Sequence, residues 1–185
     1  MFKKLTAFLI KYSTGWVALA SLIVFLAFGA FVLPGQSAAA EAYSGEVGSP
    51  DTSLFYASDD LYRMAETYGP DGRAAYIHAR FTFDLIFPFI YGVFLTAGLG
   101  WLLGKTTKPE SRWRLLVLAP LFGVLLDLLE NISAAFVIGR FPLRSPLAAV
   151  LAPVFTFDKW VFVGGSFIAL MVFLVALFFQ KMHTN

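Results

Sequence analysis

Residues 123–136 read GVLLDLLENISAAF. Asp127, Glu130 and Asn131 sit inside an apolar run, 115–138, that is otherwise long enough to cross a bilayer, since about 20 helical residues span a hydrocarbon core of about 30 Å. Spacings of three and four put the trio on one helical face. Each carboxylate at bilayer depth costs at least about 2.5 to 3.5 kcal/mol on insertion scales, so that face has to point into protein. A membrane helix with one hidden polar face needs partner helices.

The remaining sequence supplies them. Hydrophobic residues make up 58% of the 185 and charged residues 14%, with a mean hydropathy of +0.73, far more apolar than a soluble domain. Apolar stretches at about 15–33, 80–104 and 158–180 join 115–138. The expected fold is all-α: one integral membrane domain, 1–185, built as a four-helix bundle. There is no cysteine, which excludes a disulfide framework, a thiolate nucleophile, a zinc–thiolate site and Cys-x-x-Cys redox chemistry.

Charge sets the orientation. Lys3, Lys4 and Lys11 precede the first span, Lys105, Lys108, Arg112 and Arg114 separate the second from the third, and Lys181 follows the fourth. With four crossings all of these fall on one side, which the positive-inside rule makes cytoplasmic. Both termini are then cytoplasmic, in a membrane of bacterial inner-membrane type. The loop 34–79 carries Glu41, Glu46, Asp51, Asp59, Asp60, Glu66 and Asp71 against Arg63 and Arg73, as a translocated segment should. The small-residue stretch GQSAAAEA at 35–42 resembles a signal-peptide cleavage site, but the apolar run before it is nearer 19 residues than the 7 to 15 of a signal core. An uncleaved first span is the expectation.

The outer loop is expected to form a cap with one or two short amphipathic helices. GQSAAAEAYSGEVGSPD, 35–51, is small, polar and aperiodic and is expected to be a flexible connector. In SDDLYRMAETYG, 58–69, Ser58 suits an N-cap, Asp59 and Asp60 the first turn and Gly69 the stop. Asp71 then opens a helix through Tyr76 and Arg80 into the second span. Between the third and fourth spans, Ser145 and Pro146 are expected to start a short separate helix ending near Pro153. FTFD occurs at 81–84 and again at 155–158, each at the outer start of an inward-running span.

The charged positions gather in the outer half. Arg73, Arg80, Asp84, Pro88 and Tyr91 form one stripe, and Gly123, Asp127, Glu130, Asn131 and Ala134 another. Arg80 can pair with Asp84 at i, i+4, and Lys159 or Arg73 can answer Asp127 or Glu130. Pro88 frees a backbone carbonyl near Asp84, tolerated only where other groups or water satisfy it. Gly92, Gly98, Gly123, Ala134, Ala135, Gly164, Gly165 and Ser166 would permit close helix approach. Trp16, Trp101, Trp113 and Trp160 fall at span ends, as aromatic belts do.

Two functions fit this constellation. One is a polar intrabundle site for a lipid-like or small amphiphilic ligand. In it Glu130 would donate or accept a proton beside Asp127 and Asp84, Asn131 and Tyr91 would orient the ligand, and Arg73, Arg80 and Lys159 would hold an anionic head group. The other is a structural or accessory membrane subunit whose buried charges form only an ion-pair network. Whether the chain is an enzyme stays open, and no nucleophile stands out. A proton path lacks ionisable groups in the cytoplasmic half, and no His-Glu-x-x-His run marks a metal site. No cofactor and no nucleic-acid partner is implied. The expected partners are membrane lipids, the small amphiphile, and a protein docking through the outer loop.

Overall fold

The computed structural model describes residues 2–50 and 53–184, with side chains through residue 182, and its regular elements are helical. Asp51, one of the loop acids named above, lies outside the described residues. Helix α1 (Phe2–Tyr12) meets α2 (Gly15–Phe31) at 85°. Thr14 makes the elbow: its backbone is extended, and its hydroxyl accepts a bond from the Val17 amide at 3.3 Å. Helix α3 (Leu33–Ser44) follows directly, with Pro34 in its first turn, where its missing amide costs nothing.

The cap comprises α3, α4 (Ser58–Thr67) and α5 (Gly69–Phe81). Asp60 starts α4 by accepting from the Ala57 amide at 2.8 Å. Gly69, at φ +63°, turns the chain between α4 and α5, a conformation that a side chain would strain. Thr82 breaks the helix again before α6 (Phe83–Thr106). A 3₁₀ helix, Arg112–Leu118, leads into α7 (Ala119–Arg140), and α8 (Pro146–Thr184) completes the chain.

Three helical stretches, Gly69–Thr106, Arg112–Arg140 and Pro146–Met182, are long and apolar enough to cross a membrane. The α1–α2 pair would make a fourth crossing if its two bent parts act as one span. Helices α6, α7 and α8 pack mutually, while α2 leans on α6 and buries no residue fully. Glycine sets the closest approaches: a Cβ at Gly98 would lie 2.7 Å from Leu170, one at Gly123 2.7 Å from Val163, and one at Gly92 would collide with Val124. Gly164 and Gly165 play no such part, since nothing lies within 4 Å of where their Cβ would be.

The core has three layers. Leu99, Leu103, Val117 and Leu118 fill one end, Tyr91, Leu95, Val124 and Val163 the middle, and Leu61, Tyr76, Ile138 and Ala152 the cap end. The first end is the basic one. There α1 packs against α6 and the 3₁₀ helix, and Gln180 of α8 donates to the Thr106 carbonyl at 3.5 Å. The lysines and arginines assigned to one side by sequence thus belong to elements gathered at one end.

Three local expectations are corrected. Residues 35–44, read as the first part of a flexible connector, are helical in α3, because Gln, Ala and Glu are good helix formers whatever their size. The short helix after Ser145 does not stop near Pro153: α8 runs through that proline without a break. Ser58 is the first helical residue of α4, and Ala57 holds the N-cap position.

Candidate functional site

The polar cluster lies between the middle layer and the cap. Helix α5 contributes Arg80, α6 Asp84 and Tyr91, α7 Asp127, Glu130 and Asn131, and α8 Lys159. The three-and-four spacing that carries the trio on α7 is matched on α8, where Ala149, Ala152, Thr156, Lys159, Val163 and Ser166 are all buried. Lys159 therefore enters the bundle on α8's buried face, with only 6% of its surface exposed.

Its ammonium bridges both α7 carboxylates. It pairs with Oε2 of Glu130, which is 1% exposed, and lies 3.7 Å from Oδ1 of Asp127. From the other side the Tyr91 hydroxyl donates to Asp127 Oδ2 at 2.8 Å. Nearer the cap, Arg80 pairs with Asp84 at 2.7 Å, and its guanidinium carbon sits 4.6 Å from the centre of the Tyr76 ring. These bonds link the four helices α5, α6, α7 and α8.

Asn131 has a second task. A proline at position 88 has no amide to offer the carbonyl four residues earlier, which is that of Asp84 itself. Asn131 Nδ2 fills the vacancy, donating to the Asp84 carbonyl oxygen at 3.1 Å and more weakly to Asp127 Oδ1 at 3.4 Å. The i−4 rule applied to Pro88 could have located this bond; the sequence reading stopped at a freed carbonyl near Asp84.

Of the eight residues named from sequence, seven gather here and Arg73 does not. Arg73 turns into the cap, where it donates to the Ala65 carbonyl at 3.0 Å and lies over the Phe141 ring at 5.3 Å. The FTFD repeat divides its labour: Asp84 of the first copy is in the cluster, whereas in the second copy the neighbour of Asp158, Lys159, plays that role. The second copy does not start a helix, as its place at the outer start of a span implied, since α8 began twelve residues before Asp158. His78 is exposed, and among the described residues no three His, Asp or Glu side chains are placed to hold a metal ion.

Chemically, the arrangement holds three carboxylates against two cations, with Tyr91 and Asn131 as neutral donors. Asn131 Oδ1 is buried and accepts no bond among the described residues. Elsewhere among the described residues there are an open apolar groove of about 640 Å³ between α2 and α6 and an open mixed cavity of about 430 Å³ at the basic end. Neither is lined by a cluster residue.

Fold and cluster together define a helical protein with three apolar membrane-span candidates around a buried ion-pair network. The chain matches no family profile, no curated protein and no solved structure.

Proposed function

We propose that the chain crosses the membrane four times, through α2, α6, α7 and α8, with the basic end in the cytoplasm and the cap outside. In this reading it is a non-catalytic structural or accessory membrane protein, and the cluster is a lock that fixes the register of its helices. One observation carries the proposal: the single ammonium of Lys159 is engaged by Glu130 and Asp127 together, while the Tyr91 hydroxyl, which an incoming ligand would have to recruit, is bonded to Asp127. Removing one partner of a buried ion pair typically costs about 3 to 5 kcal/mol, whereas replacing the whole set by neutral residues is often tolerated.

The test follows from that asymmetry. Lys159→Met alone should destabilise the detergent-purified protein by about that amount. The triple variant Lys159→Met, Asp127→Asn, Glu130→Gln should recover most of it and carry the same lipids in native mass spectrometry. The lock reading fails if the wild type retains a non-lipid molecule that the folded triple variant has lost.

A second reading, a site for a small amphiphile, is favoured by Asn131 Oδ1, which is buried beside the carboxylates and accepts no bond among the described residues. With Arg80 and Lys159 facing carboxylates and Arg73 in the cap, the head group it would take is cationic rather than anionic. A retained amine lost on Glu130→Gln is the result that would select this reading.

A further inference from the structure

The mixed cavity at the basic end lies far from the cluster along the bundle, and the lock does not use it. Its walls include Ser13, Thr14 and Gly15 at the α1–α2 elbow, Trp101 and Lys105 on α6, and Arg114 from the 3₁₀ helix. Glycines seat the elbow on α6. A Cβ at Gly100 would collide with the Ser13 side chain, one at Gly104 would come 3.3 Å from Ile10, and one at Gly15 3.3 Å from Trp101 Nε1.

Two cations line this cavity and no acid does. Arg114 is held in place: its Nε donates to Thr107 Oγ1 at 3.3 Å and its Nη2 to the Thr107 carbonyl at 3.1 Å, which leaves Nη1 for a ligand. Among the described residues no carboxylate pairs with Arg114 or with Lys105. A positive hollow between helices, at the end where basic residues collect, matches the chemistry of a phosphate head group.

The apolar groove identifies the rest of that ligand. Thr14, Val17, Ser21 and Val24 are spaced three or four apart on α2, and Val93, Gly100 and Gly104 seven or four apart on α6. Each of these stripes runs from the cavity into the groove. From Thr14 to Val24 the distance along α2 is about 15 Å, half of a hydrocarbon core of about 30 Å. We infer that this seam binds one anionic phospholipid, with its phosphate between Lys105 and Arg114 and an acyl chain against α2 and α6.

Native mass spectrometry of the full-length protein, titrated with dioleoyl phosphatidylglycerol or dioleoyl phosphatidylcholine, tests the assignment. Two cations near a lipid phosphate should favour the anionic lipid by about ten- to thirtyfold. Lys105→Gln/Arg114→Gln should abolish the preference, and Lys108→Gln, at the same end but outside the cavity, should keep it. Gly104→Leu, which fills the cavity and retains both cations, should abolish it too and stands in if the double variant does not fold. Equal retention of the two lipids by the wild type overturns the inference, as does an equal loss in Lys108→Gln, which would mean surface attraction alone. Displacement of phosphatidylglycerol by excess inorganic phosphate would assign the cavity to a soluble phosphate and overturn the lipid assignment.

Discussion

Asn131 and Pro88 should behave as a coupled pair although they lie on different helices and make no bond to each other. Replacing Asn131 by leucine, similar in size, leaves the Asp84 carbonyl without the donor that stands in for the missing amide of residue 88. A buried group orphaned in this way costs about 1 to 3 kcal/mol, and interhelical hydrogen bonds in membranes are worth about 0.6 kcal/mol on average and up to about 1.7. Pro88→Ala restores the amide and, with it, the ordinary bond within α6. In the Pro88→Ala background, Asn131→Leu should therefore cost about 1 to 2 kcal/mol less than it does beside the native proline. For a chain of this length each kcal/mol moves the melting point by about 2 to 4 °C, so the coupling should appear as roughly 2 to 8 °C in a double-mutant cycle of thermal melts in detergent. The weak bond from Asn131 to Asp127 is lost in both backgrounds and cancels. If Asn131→Leu costs the same with proline and with alanine at 88, the proline-compensation account is wrong.

Other outcomes follow from the same geometry. Gly92→Val should separate α6 from α7 by forcing Val124 aside and lose about 1 to 3 kcal/mol, while Gly164→Ala, with open space around it, should be neutral or slightly stabilising in the same melts. Arg73→Ala should loosen the cap, read as faster proteolysis between α3 and α4, and leave the melting of the bundle nearly unchanged, because its bonds stay within the cap and the α7–α8 turn. Because the chain has no cysteine, single cysteines at Ser58 and Ser111 report topology directly: an impermeant maleimide added to intact cells should label the first and spare the second. The reverse pattern would invert the proposed orientation.

Much of the cluster could be read from spacing alone. The single face shared by Asp127, Glu130 and Asn131 and the i, i+4 pair of Arg80 with Asp84 follow from helical geometry and the cost of burying a carboxylate, whereas spacing offered Lys159 or Arg73 as the answering charge and only the structure selects Lys159. Arg73 lies outside the cluster because it stands seven residues, about 10 Å, above Arg80 on the same helix, and the turn at Gly69 brings the carbonyl end of α4 within reach of its guanidinium. Helix α3 was missed because small residues were equated with looseness, and the run of α8 through Pro153 because proline was taken as a stop. Neighbouring helices can satisfy a carbonyl freed by proline, as Asn131 does at Pro88, but sequence spacing does not show which neighbour will be close.

The placement of Lys159 also bears on how the protein is made. In the proposed four-span topology, synthesis would deliver α7, with both its carboxylates, before the lysine that neutralises them reaches the membrane. Unpartnered, those two acids would cost α7 at least about 5 to 7 kcal/mol of insertion free energy. Helix α7 is thus poorly suited to leave the insertion machinery alone, and it has reason to wait there until α8 emerges and the two can enter lipid as a pair. The ion pair proposed to lock the bundle would then also time its assembly, and a chain truncated before Lys159 should strand α7 outside the bilayer.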